Sequence, residues 1–580
     1  MSSHTETELV VEPLEEKRPI IAAEPRLEHR RVVGAVIITA AVALALGALL
    51  RQPAMMGAND ISRWCTVWSL LERGTYVIDD CPWHSQTQDK IQKPADPPEI
   101  GPDGEPVKHY YSSKPALLST LIAGMLYPAR LISGVPLDRE FLQQREPRWT
   151  QEPDPDNPGK VRGVLVTPDQ PVRWPVYVFY FNAVLIVLNI LPFWAFLVLF
   201  ARLLDRYATT DWAWFFSLVA AAFGTYLLPF TQTLNNHTIA AFSAFFALYL
   251  FLRIWDGLAL DSWRFAGLGL LAGFAATNEL PAVAFVALLG GLLVFRFPRQ
   301  TLVWFVPFAI LPILALMTCQ YAAFGKFALA YEEFGTDAYL FEGSLWKTPL
   351  ELDALNVPWL DPEEAARRGI EGESYGQYFF HMTLGHHGFW SLTPIFLFSA
   401  GGLIGLLRGR KRSMALASAL VAAGLAIWGV DLIDPTVWSE GGALQPYLWV
   451  GLVIAGLTFL LGLDLWFSQL REGGKPMASV AWLTLALTLI LLTFYTWNPK
   501  ARNYGGSTQG LRWFFWLIPF WLLLLPRALD AIAGRPWLRR LALAALFVSV
   551  ASAGYAMRSP WSNPWFQDML EHLGLYSLPR

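Results

Sequence analysis

The sequence predicts an all-α polytopic membrane protein of about 13 transmembrane helices, with a large extracytoplasmic first loop carrying interfacial helices. Three observations predict it. Apolar runs long enough to cross a ~30 Å hydrocarbon core recur from Val32 to Met557. Only 16% of the 580 residues are charged, against about 25% in soluble domains. Lys and Arg concentrate in alternate short loops, as the positive-inside rule requires.

The elements follow in order. Residues 1–31, rich in Glu and Pro, read as a disordered cytoplasmic tail. The run Val32–Leu50 continues into Arg51-Gln52-Pro53 with no small-residue cleavage site, so it reads as a retained span. Further spans are expected near 174–201, 212–230, 238–255, 266–278, 281–295, 302–324, 389–407, 413–430, 447–467, 478–496, 513–526 and 541–556. Together they form one transmembrane domain, 32–556, with an outward tail at 557–580. Residues 51–173 and 325–388 are the two large extracytoplasmic loops, and no 20–50-residue repeat is visible.

Charge decides the ambiguous apolar run 115–133. With that run left uncrossed, the cytoplasmic loops hold Arg202 and Arg206, Arg253 and Arg264, Arg296 and Arg299, and Arg408, Arg410, Lys411 and Arg412. The outer loops 277–280 and 431–446 then hold no Lys or Arg, and 497–512 holds three. Letting 115–133 cross would invert every later loop, so it reads as interfacial or re-entrant. The same parity makes 266–295 a hairpin with legs of only about 20 Å. Its turn, Thr277-Asn278-Glu279-Leu280-Pro281, would lie below the outer surface in a cavity open to the outside.

The first loop carries the candidate chemistry. Trp64, Val67, Trp68 and Leu71 repeat at helical spacing, with Ser62, Arg63, Thr66, Ser69, Glu72 and Arg73 opposite and Gly74 at the end. This predicts an amphipathic helix in the interface, its Trp side chains at headgroup level, with Asp60 at the N-cap. Asp60 is then either a cap, contributing about 1 kcal/mol, or a carboxylate held where a lipid-linked head group would arrive. Lys114, before Pro115, is either a snorkelling lysine or a cation at that interface. His237 could bond a sugar or cap a helix, and Asn236-His237-Thr238 has the form of a glycosylation acceptor. His381, His386 and His387 share an outer loop with Glu332 and Glu333, without a fixed metal-ligand spacing. Asp464 and the remaining Trp residues read as anchors at span ends.

Other classes are excluded or unsupported. Three cysteines are too few for a disulfide scaffold or a Cys-rich metal site; Cys65 and Cys81 are either bridged or unpaired. A net charge of −3 without a basic stripe gives no footprint for nucleic acid. The chain has no Gly-rich phosphate loop motif, no Gly-x-Ser-x-Gly and no His-Glu-x-x-His, so nucleotide-sugar binding has no support.

An ordered set of short motifs carries a resemblance. Asp60 after the first span, Arg63 three residues on, Leu71 followed by Arg73-Gly74-Thr75-Tyr76, and Tyr111-x-x-Lys114-Pro115 come in sequence. Further along stand "YAAFGKFALAYEEFG" (321–335), "HHGFWSLTPIFLF" (386–398) and "NYGGSTQGLRWFFWLIPF" (503–520). The set resembles the GT-C superfamily of membrane glycosyltransferases, on the branch of bacterial aminoarabinose transferase and protein O-mannosyltransferase. Those enzymes take sugars from polyprenyl-phosphate carriers.

The resemblance implies Asp60 as catalytic base or acceptor-orienting group, and Arg63, Lys114 and Arg512 near a carrier phosphate. The chain departs from the pattern at three places. Ile61 stands where relatives have a second acid, Asn235-Asn236-His237 where an Asp is usual, and Glu279-Leu280-Pro281 where a Lys-Pro is common. Asn236, His237 and Glu279 are therefore counted with the substrate-binding residues. No metal ligand is assigned; a divalent metal has no clear motif behind it. The implied partners are a polyprenyl-phosphate-linked sugar, an extracytoplasmic lipid, glycan or protein acceptor, and membrane lipids, in the inner (plasma) membrane. The alternative is a transporter or flippase of lipid-linked sugars, a class that favours internal halves and midplane sites.

Overall fold

The computed structural model describes residues 24–94, 99–102, 104–146, 148–153, 155, 159–166, 171–257, 260–329, 337–344, 375–407, 464, 476–497 and 504–575. Among them, nine helices are long and apolar enough to cross a membrane, and Leu280–Arg296 and Ile395–Leu406 are shorter apolar helices. The chain is a multi-pass helical membrane protein. Except for Asp464, the predicted spans 413–430 and 447–467 lie outside the described residues, as do Glu332 and Glu333.

The helices used below are α1 (Glu24–Arg51), α2 (Ala58–Glu72), α3 (Ala116–Ser133), α4 (Val176–Tyr207), α5 (Asp211–Phe223), α6 (Asn236–Trp255) and α7 (Ser262–Asn278). They continue as α8 (Val283–Arg296), α9 (Pro298–Phe324), α10 (Tyr375–Thr383), α11 (Ile395–Leu407), α12 (Pro476–Trp497), α13 (Ile518–Ile532), α14 (Pro536–Ala556) and α15 (Trp565–His572). α4 and α9 each contain one π-helical turn, Ile186–Ile190 and Thr301–Phe305. Each turn ends two residues before a proline, Pro192 or Pro307. A proline removes one N–H and crowds the carbonyl four residues back, and a widened turn relieves that crowding.

Contacts at the helix ends follow the order read from charge. Arg30 on α1 pairs with Asp211 at the start of α5 at 2.7 Å. Asp530 near the end of α13 accepts from the backbone N–H groups of Thr209 and Thr210 at 2.8 and 2.9 Å. At the opposite end, Gln52 after α1 donates to the carbonyls of Met557 and Arg558 after α14. There also Tyr495 of α12 stacks on Trp513, with centroids 4.3 Å apart.

α3 does not cross between these ends. Its first N–H, from Ala116, donates to Gln320 Oε1 near the outer end of α9 at 3.0 Å. Its last residue, Ser133, meets Tyr180 OH near the outer end of α4 at 3.2 Å. Both ends of α3 thus lie on one side, although its length and composition match a span.

The structure corrects two expectations about the first loop. First, α2 begins at Ala58, so Gly57 is the N-cap and Asp60 occupies the third helical position. Trp64 and Trp68, 0% and 2% exposed, are buried within the protein and present no face to lipid headgroups. The polar face is covered too: Ser62 donates to the Asp89 carbonyl at 2.5 Å and meets Ser112 Oγ at 2.6 Å. Helical periodicity reports that a face is polar, and here that face meets other polar protein groups in place of water. Second, the loop is not purely helical. It carries three antiparallel two-stranded ribbons, Lys90–Pro94 with Lys108–Ser112, Glu140–Gln143 with Val172–Pro175, and Arg148–Pro153 with Val161–Val166. Cys65 and Cys81 are buried free thiols, so the unpaired alternative is the one the structure has.

Two glycines set the distance between α7 and α9. A Cβ at Gly269 would stand 2.2 Å from the Phe305 carbonyl oxygen, and one at Gly273 2.2 Å from that of Ala309. Small residues one turn apart let membrane helices touch backbone to backbone, where dispersion replaces the hydrophobic drive. Gly273→Val should therefore destabilise the protein by about 1–3 kcal/mol or more, read as a lower unfolding temperature in detergent. An unchanged transition would show that the two helices do not meet at Gly273.

Candidate functional site

Four polar side chains meet where the outer ends of α2, α6 and α7 converge. Asn235 caps α6, its side chain accepting from the Thr238 N–H at 2.9 Å, so the cap is Asn235 and His237 is released from that role. Asn236 and His237 follow in the first turn. Asn236 Nδ2 donates to Glu279 Oε1 at 2.9 Å and to the Asn278 carbonyl at 2.8 Å, and His237 Nδ1 meets the same Oε1. Arg63, 1% exposed, donates from one terminal nitrogen to Asn236 Oδ1 at 2.6 Å and from the other to the side chain and carbonyl of Asn59. The amide of Asn236 is thus engaged on both sides, which leaves no room for glycosylation.

Glu279 is held by the hairpin turn. α7 ends at Asn278, Glu279 itself is extended (φ −130°, ψ 106°), and Pro281 starts the return leg. Both hydrogen bonds to its carboxyl go to Oε1, so Oε2 carries none among the described residues. Beside it, Arg63, Pro115, Leu117, Leu118, Asn236, Thr277 and Asn278 line one cleft of mixed polar and apolar character.

Two more cations complete the cluster. Lys114 pairs with Asp89 at 3.0 Å. Burial pushes its ammonium down to about 8; Asp89 opposes the fall, and the charges of Arg63 and Arg512 add to it. Arg512 lies over the ring of Trp561 at 5.1 Å and packs on Gly505, where a Cβ would come within 2.6 Å of its Nε. Arg63 and Arg512 also lie within electrostatic reach of His237 and Glu279. Six of the seven residues singled out from sequence, Arg63, Lys114, Asn236, His237, Glu279 and Arg512, therefore form one cluster at the outer ends of the helices.

The seventh, Asp60, stands behind that cluster. It is 0% exposed, and three N–H groups point at it. Oδ1 accepts from Leu234 at 2.8 Å, and Oδ2 from Gly57 at 3.1 Å and Trp561 Nε1 at 3.0 Å. Burial pushes its carboxyl up to about 7, while the bonds from Trp561, Gly57 and Leu234 and the charge of Arg63 pull it back. Its geometry is that of a clamp joining α2, the segment before α6, and the tail after α14. The bond to Gly57 makes it half of a capping box.

Sequence reasoning missed Asp89, Gln509 and Trp561. Gln509 donates to Ser562 Oγ at 2.8 Å and to the Asn563 carbonyl at 2.7 Å, tying the tail to the loop before Arg512. No periodicity or motif marks Asp89 or Trp561, and the quoted segment 503–520 contains Gln509 without singling it out. Only the folded path of the chain, including its return after α14, brings them to the site.

The histidines lie apart from a metal-binding arrangement. His381 stacks on His386 at 4.0 Å, His386 Nδ1 meets His387 Nδ1 at 2.6 Å, and Tyr504 stacks on His387 at 4.7 Å. Burial pushes the His387 ring down to about 3 and that of His386 further, so both are neutral at neutral pH. Among the described residues, no group of three or more His, Cys, Asp or Glu side chains is placed to hold a metal ion.

No protein-family description matches the chain, and no curated protein matches it. Among solved structures it aligns with an archaeal oligosaccharyltransferase, AglB from Archaeoglobus fulgidus, in complex with an inhibitory peptide and a dolichol-phosphate. The alignment has 12% identity and a TM-score of 0.34, and spans 95% of this chain and 60% of that one.

Proposed function

We propose that this chain is an integral membrane glycosyltransferase, moving a sugar from a polyprenyl-phosphate carrier to an extracytoplasmic acceptor at the outer face of the plasma membrane. The observation that carries this reading is the gathering of Arg63, Lys114 and Arg512 around a buried Glu279–His237–Asn236 group. Fixed cations beside a cleft that Pro115, Leu117 and Leu118 make partly apolar suit a phosphate whose polyprenyl tail lies in lipid.

Glu279 takes the proton-accepting role in this reading, and Asp60 the supporting one. The acceptor hydroxyl gives its proton to Glu279 Oε2 as its oxygen attacks the anomeric carbon. The bond from that carbon to the phosphate oxygen breaks, and its electron pair leaves with the carrier phosphate, where Arg63, Lys114 and Arg512 stabilise the charge. Attack opposite the leaving group inverts the anomeric centre. Incubating purified protein with radiolabelled polyprenyl-phosphate sugar tests this. Transfer or hydrolysis supports the enzyme, whereas movement of intact donor across vesicles supports a flippase, the reading that the sunken Glu279 hairpin would otherwise favour.

Lys114 gives this reading a pH signature. A lysine loses its charge as pH rises through its pKa, here lowered to about 8. Affinity for a sugar phosphodiester, which itself does not titrate, should fall between about pH 7 and 9. Lys114→Arg should flatten the profile, because arginine stays charged. Affinity unchanged across that window in the parent would place the phosphate away from Lys114.

A further inference from the structure

The loop that delivers Arg512 has a geometry the phosphate cluster does not use. It reads Tyr504-Gly505-Gly506-Ser507-Thr508-Gln509-Gly510-Leu511, with positive φ at Tyr504 (54°), Gly505 (89°), Gly506 (78°) and Gly510 (72°). Left-handed residues in a row are costly for side chains and natural for glycine. Backbone N–H groups in turns of this kind can bind anions. No hydrogen bond is made by the N–H of Gly506, Ser507 or Thr508 among the described residues.

A second observation points the same way. Thr508 is 0% exposed, yet its hydroxyl has no hydrogen-bond partner among the described residues. A buried hydroxyl left unsatisfied costs free energy unless something bonds it. Space for a ligand exists at Gly506: apart from its chain neighbours, no atom of the described residues lies within 4 Å of a Cβ built there. Arg512 closes the other side, its side chain resting on Gly505. The charge of Arg512 reaches Lys114, so the loop adjoins the carrier phosphate cluster.

We infer that the Gly505–Thr508 loop, together with Arg512, is a second anion subsite that takes a phosphoryl group beside the one held by Arg63 and Lys114. The inference rests on the carrier-phosphate reading and deepens it: the substrate pair carries two phosphoryl groups. The second belongs either to a polyprenyl diphosphate carrier or to a phosphorylated acceptor.

The test measures binding of polyprenyl monophosphate and polyprenyl diphosphate of equal chain length to the full chain in nanodiscs. The parent, Thr508→Val and Ser507→Pro are compared. Valine keeps the shape of Thr508 and removes its hydroxyl; proline removes one N–H of the loop. The parent should bind diphosphate at least about tenfold tighter than monophosphate, the gap shrinking below about threefold in either variant. Monophosphate affinity should not move. If the diphosphate preference is absent, glycerol phosphate is titrated with saturating monophosphate present. Binding of it that weakens in the two variants supports the subsite and assigns the phosphate to the acceptor. No diphosphate preference and no variant-sensitive glycerol phosphate binding overturns the subsite. A diphosphate preference that the variants leave intact overturns it as well. Failure of monophosphate itself to bind the parent would instead defeat the carrier reading, a distinct result.

Discussion

Replacing Glu279 with glutamine is expected to lower sugar transfer by at least about a hundredfold while donor affinity stays within about threefold of the parent. Glutamine has the shape of glutamate, and its oxygen can still accept from Asn236 Nδ2 and His237 Nδ1, the two bonds that Oε1 makes now. What it cannot do is take a proton at neutral pH. Loss of a general base commonly costs ~10²–10⁴ in rate, so a chemical role appears in turnover and a merely structural one does not. Single-turnover assays with prebound donor would separate the two. Parental turnover in Glu279→Gln would send the proton elsewhere. A loss confined to donor affinity would make Glu279 a counter-charge for Arg63 and Arg512.

Glu279 was legible in the sequence because a carboxyl in the turn between two short apolar legs sits at membrane depth, where it needs polar partners or water. Short legs follow from counting residues against 1.5 Å of rise, and parity follows from arginines. The order of helix ends and the uncrossed α3 came from that same charge argument. Asp60 shows where such reasoning stops. One sequence shows an acid near a helix start; it does not show that Leu234 and Trp561, 174 and 501 residues away, deliver N–H groups to it. The expectation that α2 shows its Trp side chains to headgroups and its polar face to water failed for a related reason. Alternation of polar and apolar residues gives a face its chemistry, and long-range contacts decide what covers it. The glycine loop entered only as part of the quoted segment 503–520, because it matches no phosphate motif and its positive φ values are properties of the folded backbone.

Asp60 therefore carries the largest expected effect on stability. Its two oxygens accept from the N–H groups of Gly57 and Leu234 and from Trp561 Nε1, and all three partners are donors. Asparagine offers one oxygen and one NH₂. Whichever way the amide turns, its NH₂ confronts at least one of those donors. A hydrogen bond typically contributes about 0.5–1.5 kcal/mol, and a buried donor left unsatisfied costs about 1–3 kcal/mol. Asp60→Ala abandons all three donors, so unfolding temperatures should rank parent, then Asp60→Asn, then Asp60→Ala, the last yielding little folded protein. Trp561→Phe keeps the ring beside Gly57 and Arg512 and removes one bond, so it should fall between the parent and Asp60→Ala. Leu234 directly precedes the Asn235–His237 segment, so loosening it should weaken donor binding and turnover together. A variant Asp60→Asn with parental stability and a hundredfold loss in turnover alone would reverse the assignment, making Asp60 the base and Glu279 the support.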